Sequence, residues 1–527
     1  MQRTLLIQLF AILAVVVLGA GLDVMEVDAA QYAGMSRDML VNGDVIQLQY
    51  GGEDYLDKPP LLFWITTLSF KVFGVHDWSY RLPSILFAFL GLYSTYRFAL
   101  LHHTREVART AALMFGCSAA FFIMCNDVRC DTILTGSVIT AVWLGCAWLK
   151  EGRWWQLIGL AAALASGLLV KGPIGAVAPL LAIGAQLVFT RNWERLRDPR
   201  WLVVPLLVAL ALVPMCIGLY QQHGWHGVRF FFWEQSFGRI TGENRWKDDS
   251  TVLFFTHEIL WQMLPWTPFV LLGIWRSLKS VLRREALPEH ASTIGAVAVF
   301  AALSFSQFKL PHYLYITLPL FAVIGARAVH TTTSGWWFRV QWFVVALVWV
   351  AALAIAWGVF PEERWPFTAF VLTMGIVAVV MVRREGWQRT AFAGSFWVMI
   401  TAGVVLNGLF YPGLLRYQAN AKAGQWAAAQ PSGHHLFYGM QISGSAMDYY
   451  AGAPVKWLSD VGEARNVIGP GVAIYTDEVH RELLLKAGLE PKEEIRLWNF
   501  PAQRLALPFL SPANRHSVLE KRFILRY

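Results

Sequence analysis

Six short polar segments of this 527-residue chain place acids, cations and phenols at spacings suited to chemistry on an anionic ligand. Residues 26–40 read EVDAAQYAGMSRDML, and Asp28, Tyr32 and Met35 fall at i, i+4 and i+7, one face of a helix. Residues 55–64 read YLDKPPLLFW; the prolines hold Lys58 extended, beside Asp57, at the start of an apolar segment. Residues 126–131, NDVRCD, bring Arg129 and Asp131 to the mouth of another apolar stretch. SGLLVKGP sets Lys171 in a turn with almost no loop, and SQFKLPHYLYITLP puts Lys309, His312 and Tyr313 at the head of a further stretch. In residues 229–245, RFFFWEQSFGRITGENR, aromatics lead to Glu234 and Arg239.

Each segment also has a plain reading. An acid such as Asp28 caps or solvates a helix start. A lysine such as Lys58 snorkels to an interface, and the aromatic run rides one. The set says more than its members. Charged groups at the ends of buried spans are costly unless paired or wetted. Cations at four separate places, Lys58, Arg129, Lys171 and Lys309, therefore imply a polar cavity that suits a phosphate-bearing ligand. Asp57 pairs with Lys58 or, with His223 or His226, holds a divalent metal such as zinc or magnesium. No spacing here is a metal motif by itself.

These residues need helices to position them, and the composition supplies helices that cross a membrane. The chain is 56% hydrophobic and 15% charged, where soluble domains carry about 25% charged residues. Spans of roughly 20 apolar residues are expected near 5–22, 83–102, 108–124, 132–149, 155–170, 172–190, 201–220, 256–276, 291–306, 312–330, 339–360, 366–382 and 392–411, about thirteen in all. The first is read as a retained helix and not a cleaved signal. The 25 Trp suit aromatic belts at the two interfaces. Alternate connecting loops, among them KEGRWW, RNWERLRDPR and VRREGWQR, are basic and are expected on the cytoplasmic side with the N-terminus. They account for much of the net charge of +9, which disfavours nucleic-acid binding as its cause. All six polar segments then share the extracytoplasmic side.

The expected architecture is an all-α polytopic membrane domain over 1–412 and a small extracytoplasmic α/β domain over 413–527. Amphipathic outer-face helices fall within 23–82 and 221–255, and Ala29, Ala30, Ala33 and Met39 of the first could rest on the membrane surface. After residue 412, strand signals (HHLFYGM, PVKWLS, GVAIYTD) alternate with helix signals (SAMDYYAGA, VGEARNVI, EVHRELLLKAG). No nucleotide fingerprint occurs there, and the segment reads as supporting or gating. The five cysteines lack zinc spacing. A Cys125–Cys130 disulfide is conceivable, but the spacing on a helix end argues against it.

The motifs VDAAQYAGMSRDML, LDKPPLLFW, Arg129-x-Asp131, VKGPIG, FFWEQSFGRITG and FKLPHYLYITLP, in this order over roughly the first 330 residues, resemble the GT-C superfamily of membrane glycosyltransferases. Within it, the chain is similar to the lipid A aminoarabinose transferase and protein O-mannosyltransferase relatives. The resemblance implies transfer of a sugar from a polyprenyl phosphate, undecaprenyl phosphate in bacteria, to a lipid or glycan acceptor such as lipid A. It implies Asp28 as the catalytic acid residue and matches Asp57, Lys58, Lys171 and Tyr313 to family positions. In the aminoarabinose transferase an acid directly follows the catalytic one; here Ala29 stands there, with Glu26 on the other side, which bears on the acceptor.

The physical scheme is an attack on the anomeric carbon, with Asp28 as base and Lys58, Arg129, Lys171, Arg239, Lys309 and Tyr313 meeting the donor phosphate. Tyr32, Asp131, Glu234 and His312 would position substrate. A single displacement predicts inversion. No cofactor is required by this scheme, and no nucleic-acid or obligate protein partner is implied. The rival is a secondary transporter or lipid-linked sugar flippase. Such proteins place ionisable groups at the midplane of related halves, and no internal repeat is seen here.

Overall fold

Long apolar runs with few charges have one stable form in lipid, the helix, because it satisfies every backbone N–H and C=O within the segment. In the computed structural model, which describes residues 2–234, 250–431, 436–502 and 505–527, such helices dominate up to residue 415. Among the described residues nine helices are long and apolar enough to cross a membrane, and a tenth if Arg105–Gly116 and Ala119–Asn126, bent by 49°, form one span. The remaining three expected spans are also helical. Ile174–Thr190 and Ala291–Ser304 are shorter, and 256–276 is divided into Phe254–Gln262 and Thr267–Leu282. Pro265 explains that break: it lacks an N–H and disfavours helix at Leu264.

At the centre runs Cys130–Glu151, whose apolar window is entirely buried. It packs against Asp77–His102 through Gly91 and Gly136. A Cβ on Gly136 would stand 2.3 Å from the Phe87 carbonyl oxygen, so only glycine permits this approach. Ser94 and Thr140 hydrogen-bond across the same seam at 2.8 Å. The next hairpin, Trp154–Lys171 and Ile174–Thr190, closes through Gly167 and Gly175, where a Cβ on Gly175 would meet the Gly167 carbonyl carbon at 2.1 Å. Gly172, at φ 75°, makes the turn and leaves Lys171 at its tip.

Beyond the bundle, five strands form one sheet in the order Lys456–Leu458, Phe437–Met440, Ala473–Asp477, Glu520–Arg526, Glu493–Asn499. The first three are parallel and the last two antiparallel. The three parallel strands and their intervening helices are those read from the sequence. The antiparallel pair was not: EEIRLWN and EKRFILR carry three and four charges and no clean apolar alternation.

The small residues of the Asp28–Asn42 helix face protein and not a membrane surface. Ala29, Ala30, Ala33 and Met39 are buried in one cluster with Leu62, Phe63, Ala446 and Tyr449, so the small residues of its inner face receive the sheet domain and the Leu61–Phe73 helix. The five cysteines are free thiols.

Candidate active site

Three helix starts converge on one cavity at the end of the bundle that carries the sheet domain. Asp28 is the first residue of Asp28–Asn42, where a carboxylate is favoured by the helix dipole. Arg129 and Asp131 flank the start of Cys130–Glu151, and His312 and Tyr313 lie in the 3-10 turn Pro311–Thr317. Lys58 arrives on the irregular Asp57–Pro60 segment, which bends at Asp57 and Lys58 rather than running extended as expected, and Lys171 on the hairpin turn. The cavity is lined by Asp28, Tyr32, Lys58, Arg129, Asp131, Lys171, His312 and Tyr313. Its other wall is apolar and includes Leu134, Ile174, Val177, Leu303, Leu310 and Ile316. Half of the chamber thus suits an anion and half a hydrocarbon.

The charges come in pairs. Arg129 donates to Asp28 Oδ2 at 3.0 Å and to Asp127 Oδ2 at 2.7 Å. Lys171 Nζ donates to Asp131 Oδ1 at 2.6 Å, and His312 Nε2 lies 3.7 Å from Asp131 Oδ2. The Lys171 ammonium also sits 4.0 Å over the Tyr313 ring. Lys58 donates to Asp57. The two cavity carboxylates differ in access: the Asp28 side chain is 45% exposed and that of Asp131 is 3% exposed. Asp28 is therefore the one an incoming group can reach.

Burial pulls the Lys58 ammonium towards the neutral form, but Asp57 outweighs it and holds the pKa above the ordinary lysine value. Arg129 is likewise held up, burial being outweighed by Asp127 and then Asp28. Both cations stay charged at any physiological pH. The phenols of Tyr32 and Tyr55 are pushed well up by burial, so they remain protonated donors.

Other expected site residues lie elsewhere. Lys309 is not among the lining residues; it is buried and donates to the Ser250 carbonyl at 3.2 Å and to its hydroxyl at 3.3 Å. Glu234 is 3.4 Å from Arg229. Arg239 and the heart of the 221–255 segment lie outside the described residues. Among the described residues no three His, Cys, Asp or Glu side chains gather as a metal donor set, and Asp57 is engaged by Lys58 while the His226 ring leans on Phe230.

Two residues escaped the sequence reading. Asp127 sits within NDVRCD and fixes Arg129. Arg81, 1% exposed, donates to the carbonyls of Ala20, Leu22, Asp23 and Asn126, tying the end of the first helix to the segment before Arg129. An arginine just before the apolar run near 83–102 was the available signal.

The fold is a polytopic helical bundle with a cation-lined chamber at one end, beside a small sheet domain. Comparison with known proteins shows what it resembles. The sequence model described as dolichyl-phosphate-mannose-protein mannosyltransferase matches residues 57–217. The undecaprenyl phosphate-alpha-4-amino-4-deoxy-L-arabinose arabinosyl transferase of Pseudomonas paraeruginosa is 24% identical over 397 residues, 71% of this chain and 70% of that one. A second such transferase, of Proteus mirabilis, is 24% identical over 437 residues, 80% of this chain and 72% of that one. The crystal structure of ArnT from Cupriavidus metallidurans bound to undecaprenyl phosphate superposes with a TM-score of 0.72 at 19% identity, covering 91% of this chain and 94% of that one. The chain is a multi-pass membrane protein with the fold of these transferases, and its sequence likeness is to membrane glycosyltransferases.

Proposed function

We propose that this enzyme moves a sugar, with inversion, from undecaprenyl phosphate to lipid A or another envelope glycolipid or glycan at the outer face of the cytoplasmic membrane. The observation that carries the reading is one reachable carboxylate, Asp28, in a chamber that also holds Lys58, Arg129 and Lys171. The apolar wall suits the first isoprene units, and the relatives named above act on undecaprenyl-phosphate-linked aminoarabinose.

In this scheme the donor phosphodiester enters among the three cations. An acceptor oxygen attacks the anomeric carbon from the face opposite the phosphate. The new C–O bond forms as the anomeric C–O bond to phosphorus breaks, and the electron pair leaves with undecaprenyl phosphate. The added negative charge on that leaving phosphate is met by Lys58, Arg129 and Lys171. Where the acceptor is a hydroxyl, its proton passes to Asp28; where it is already an anionic phosphate, Asp28 orients it. Asp131 is neutralised by Lys171 and nearly closed off, so it serves to hold that lysine and not as a second nucleophile.

The test is mass spectrometry of lipids and envelope glycans from cells lacking the gene, complemented by wild type or Asp28→Asn. A single sugar increment that wild type restores is expected. Asp28→Asn is expected to lower it by about 100- to 10,000-fold at matched expression. Near-normal transfer by Asp28→Asn overturns the assignment. An unchanged glycan profile with a redistributed intact lipid would favour a flippase.

A further inference from the structure

The short link between the first span and the Asp28 helix is gripped by the sheet domain. Asp23 accepts from Lys422 at 2.9 Å and from Gln425 at 3.2 Å. Val24 donates its N–H to the Tyr450 hydroxyl at 2.7 Å, and its carbonyl accepts from Gln418 Nε2 at 2.8 Å. The Glu26 N–H donates to Gln418 Oε1 at 2.9 Å. The Glu26 carboxylate turns away from the cavity: Oε1 accepts from the Ala446 N–H at 3.1 Å and Oε2 from Asn420 Nδ2 at 3.2 Å. Met25 packs against Leu415. Three of the four residues 23–26 thus take hydrogen bonds from residues about 400 positions later, and Asp28 follows two residues on.

Glu26 is an acid beside the catalytic position, yet its geometry excludes a part in the chemistry. Burial raises its pKa, opposed by the Ala446 amide and Asn420. A carboxylate placed there costs desolvation, and its compensation lies wholly in the sheet domain.

We propose that the sheet domain positions the Asp28 carboxylate for transfer by holding residues 23–26, with Glu26 as the principal positioning residue. This inference rests on the reading of Asp28 as the base. Misplacing a reacting group by about 1 Å costs up to about 100-fold in rate. Loosening the link moves Asp28 relative to Arg129, while Lys58, Arg129 and Lys171, held by other elements, still receive the lipid phosphate.

The experiment compares Glu26→Ala, Glu26→Gln and Asp28→Asn in the full-length protein. One readout is the rate of the Asp28-dependent mass increment in cells at matched expression. The other is thermal stabilisation of the purified variant by undecaprenyl phosphate. Glu26→Ala is expected to slow transfer by about 10- to 100-fold while the stabilisation persists. Glu26→Gln, which keeps an acceptor for Ala446 and leaves Asn420 free to reorient, is expected to restore most of the rate. Wild-type transfer by Glu26→Ala, with Asp28→Asn silent, overturns the positioning role and leaves the proposed function standing. Normal transfer by Asp28→Asn overturns both. Loss of undecaprenyl phosphate stabilisation in Glu26→Ala and Glu26→Gln alike also overturns it, since that outcome is general damage. If Glu26→Ala does not fold, the half-exposed pair Lys422→Ala and Gln425→Ala decides. The same split between rate and binding supports the proposal, and an unchanged rate overturns it.

Discussion

The two ends of the helical bundle each bury a carboxylate beside a histidine, and they use it differently. At the site end, Asp131 is neutralised by Lys171 at 2.6 Å with His312 at 3.7 Å, and both partners face an open cavity. At the opposite end, Glu289, 1% exposed, accepts the Ser292 N–H at 2.8 Å and the Ser292 hydroxyl, with His103 Nε2 at 3.9 Å. There the hydrogen-bond donors, the Ser292 N–H and hydroxyl, belong to the turn Ala291–Gly295 that follows Glu289. A carboxylate satisfied by local backbone and hydroxyl groups is a cap that closes a helix start. A carboxylate satisfied by a lysine ammonium on a rotatable stem leaves that ammonium able to turn to an incoming anion. Burial of an acid does not mark a site; the kind of partner does.

The comparison is tested most severely at Lys171. Lys171→Met removes a leaving-group cation and strands Asp131. Transfer is expected to fall by about 100- to 1,000-fold, the range for deleting one preorganised charge stabiliser. Stability is expected to fall by about 3–5 kcal/mol, because an uncompensated buried charge remains. Adding Asp131→Asn to Lys171→Met is expected to recover melting temperature without recovering transfer. Recovery of both would mean that the pair is structural, like Glu289. Sugar increments read the first effect and thermal melting in detergent the second.

Much of this contrast was legible in the sequence, and what was not has physical reasons. Arg129, Asp131, Lys171 and His312 stand out because charge at the ends of apolar runs is costly, while Asp28 and Lys58 stand out by local pattern and, with Tyr313, by the family resemblance. Their convergence needed only the alternation of basic and patterned loops. Lys309 satisfied the same rule but turns to Ser250, because one-dimensional spacing does not say which way a side chain leaves a turn. Glu26 stands on the other side of Asp28 from the family's second acid, a departure the sequence relates only to the acceptor. Its true partners, Asn420 and Ala446, lie about 400 residues away, and no periodicity links such distant positions. The small residues of the Asp28 helix suited a membrane surface as well as a protein one; only Ala446 and Tyr449 opposite them decide between the two.

The Glu289 end should answer mutation in the opposite way. Glu289→Gln keeps one acceptor oxygen but weakens charge-assisted bonds to Ser292. A loss of about 1–3 kcal/mol in stability is expected, with the transfer rate of the folded fraction unchanged. A fall in rate beyond the loss of folded protein would show that the two ends are coupled, and the contrast drawn above would fail.

A last effect concerns a half-buried carboxylate, Asp448, in the sheet domain where Arg37 docks on the Asp448 and Tyr449 carbonyls. Its carboxylate accepts the Val455 N–H at 2.8 Å. Burial pushes its pKa up to about 6, opposed first by that amide and then by Arg37. The folded value thus exceeds the ordinary 3.8, so the native state binds the proton more tightly than the unfolded chain. The stabilisation is fully present below about pH 3.8 and is lost as pH rises towards about 6, with a flat response above that. Asp448→Asn should remove this slope, and melting of wild type and variant between these pH values checks it. If the wild type instead gains stability across this window relative to Asp448→Asn, the carboxylate is charged and paired in the folded protein, and Asp448 belongs with Asp131 on the cation-held side of the comparison.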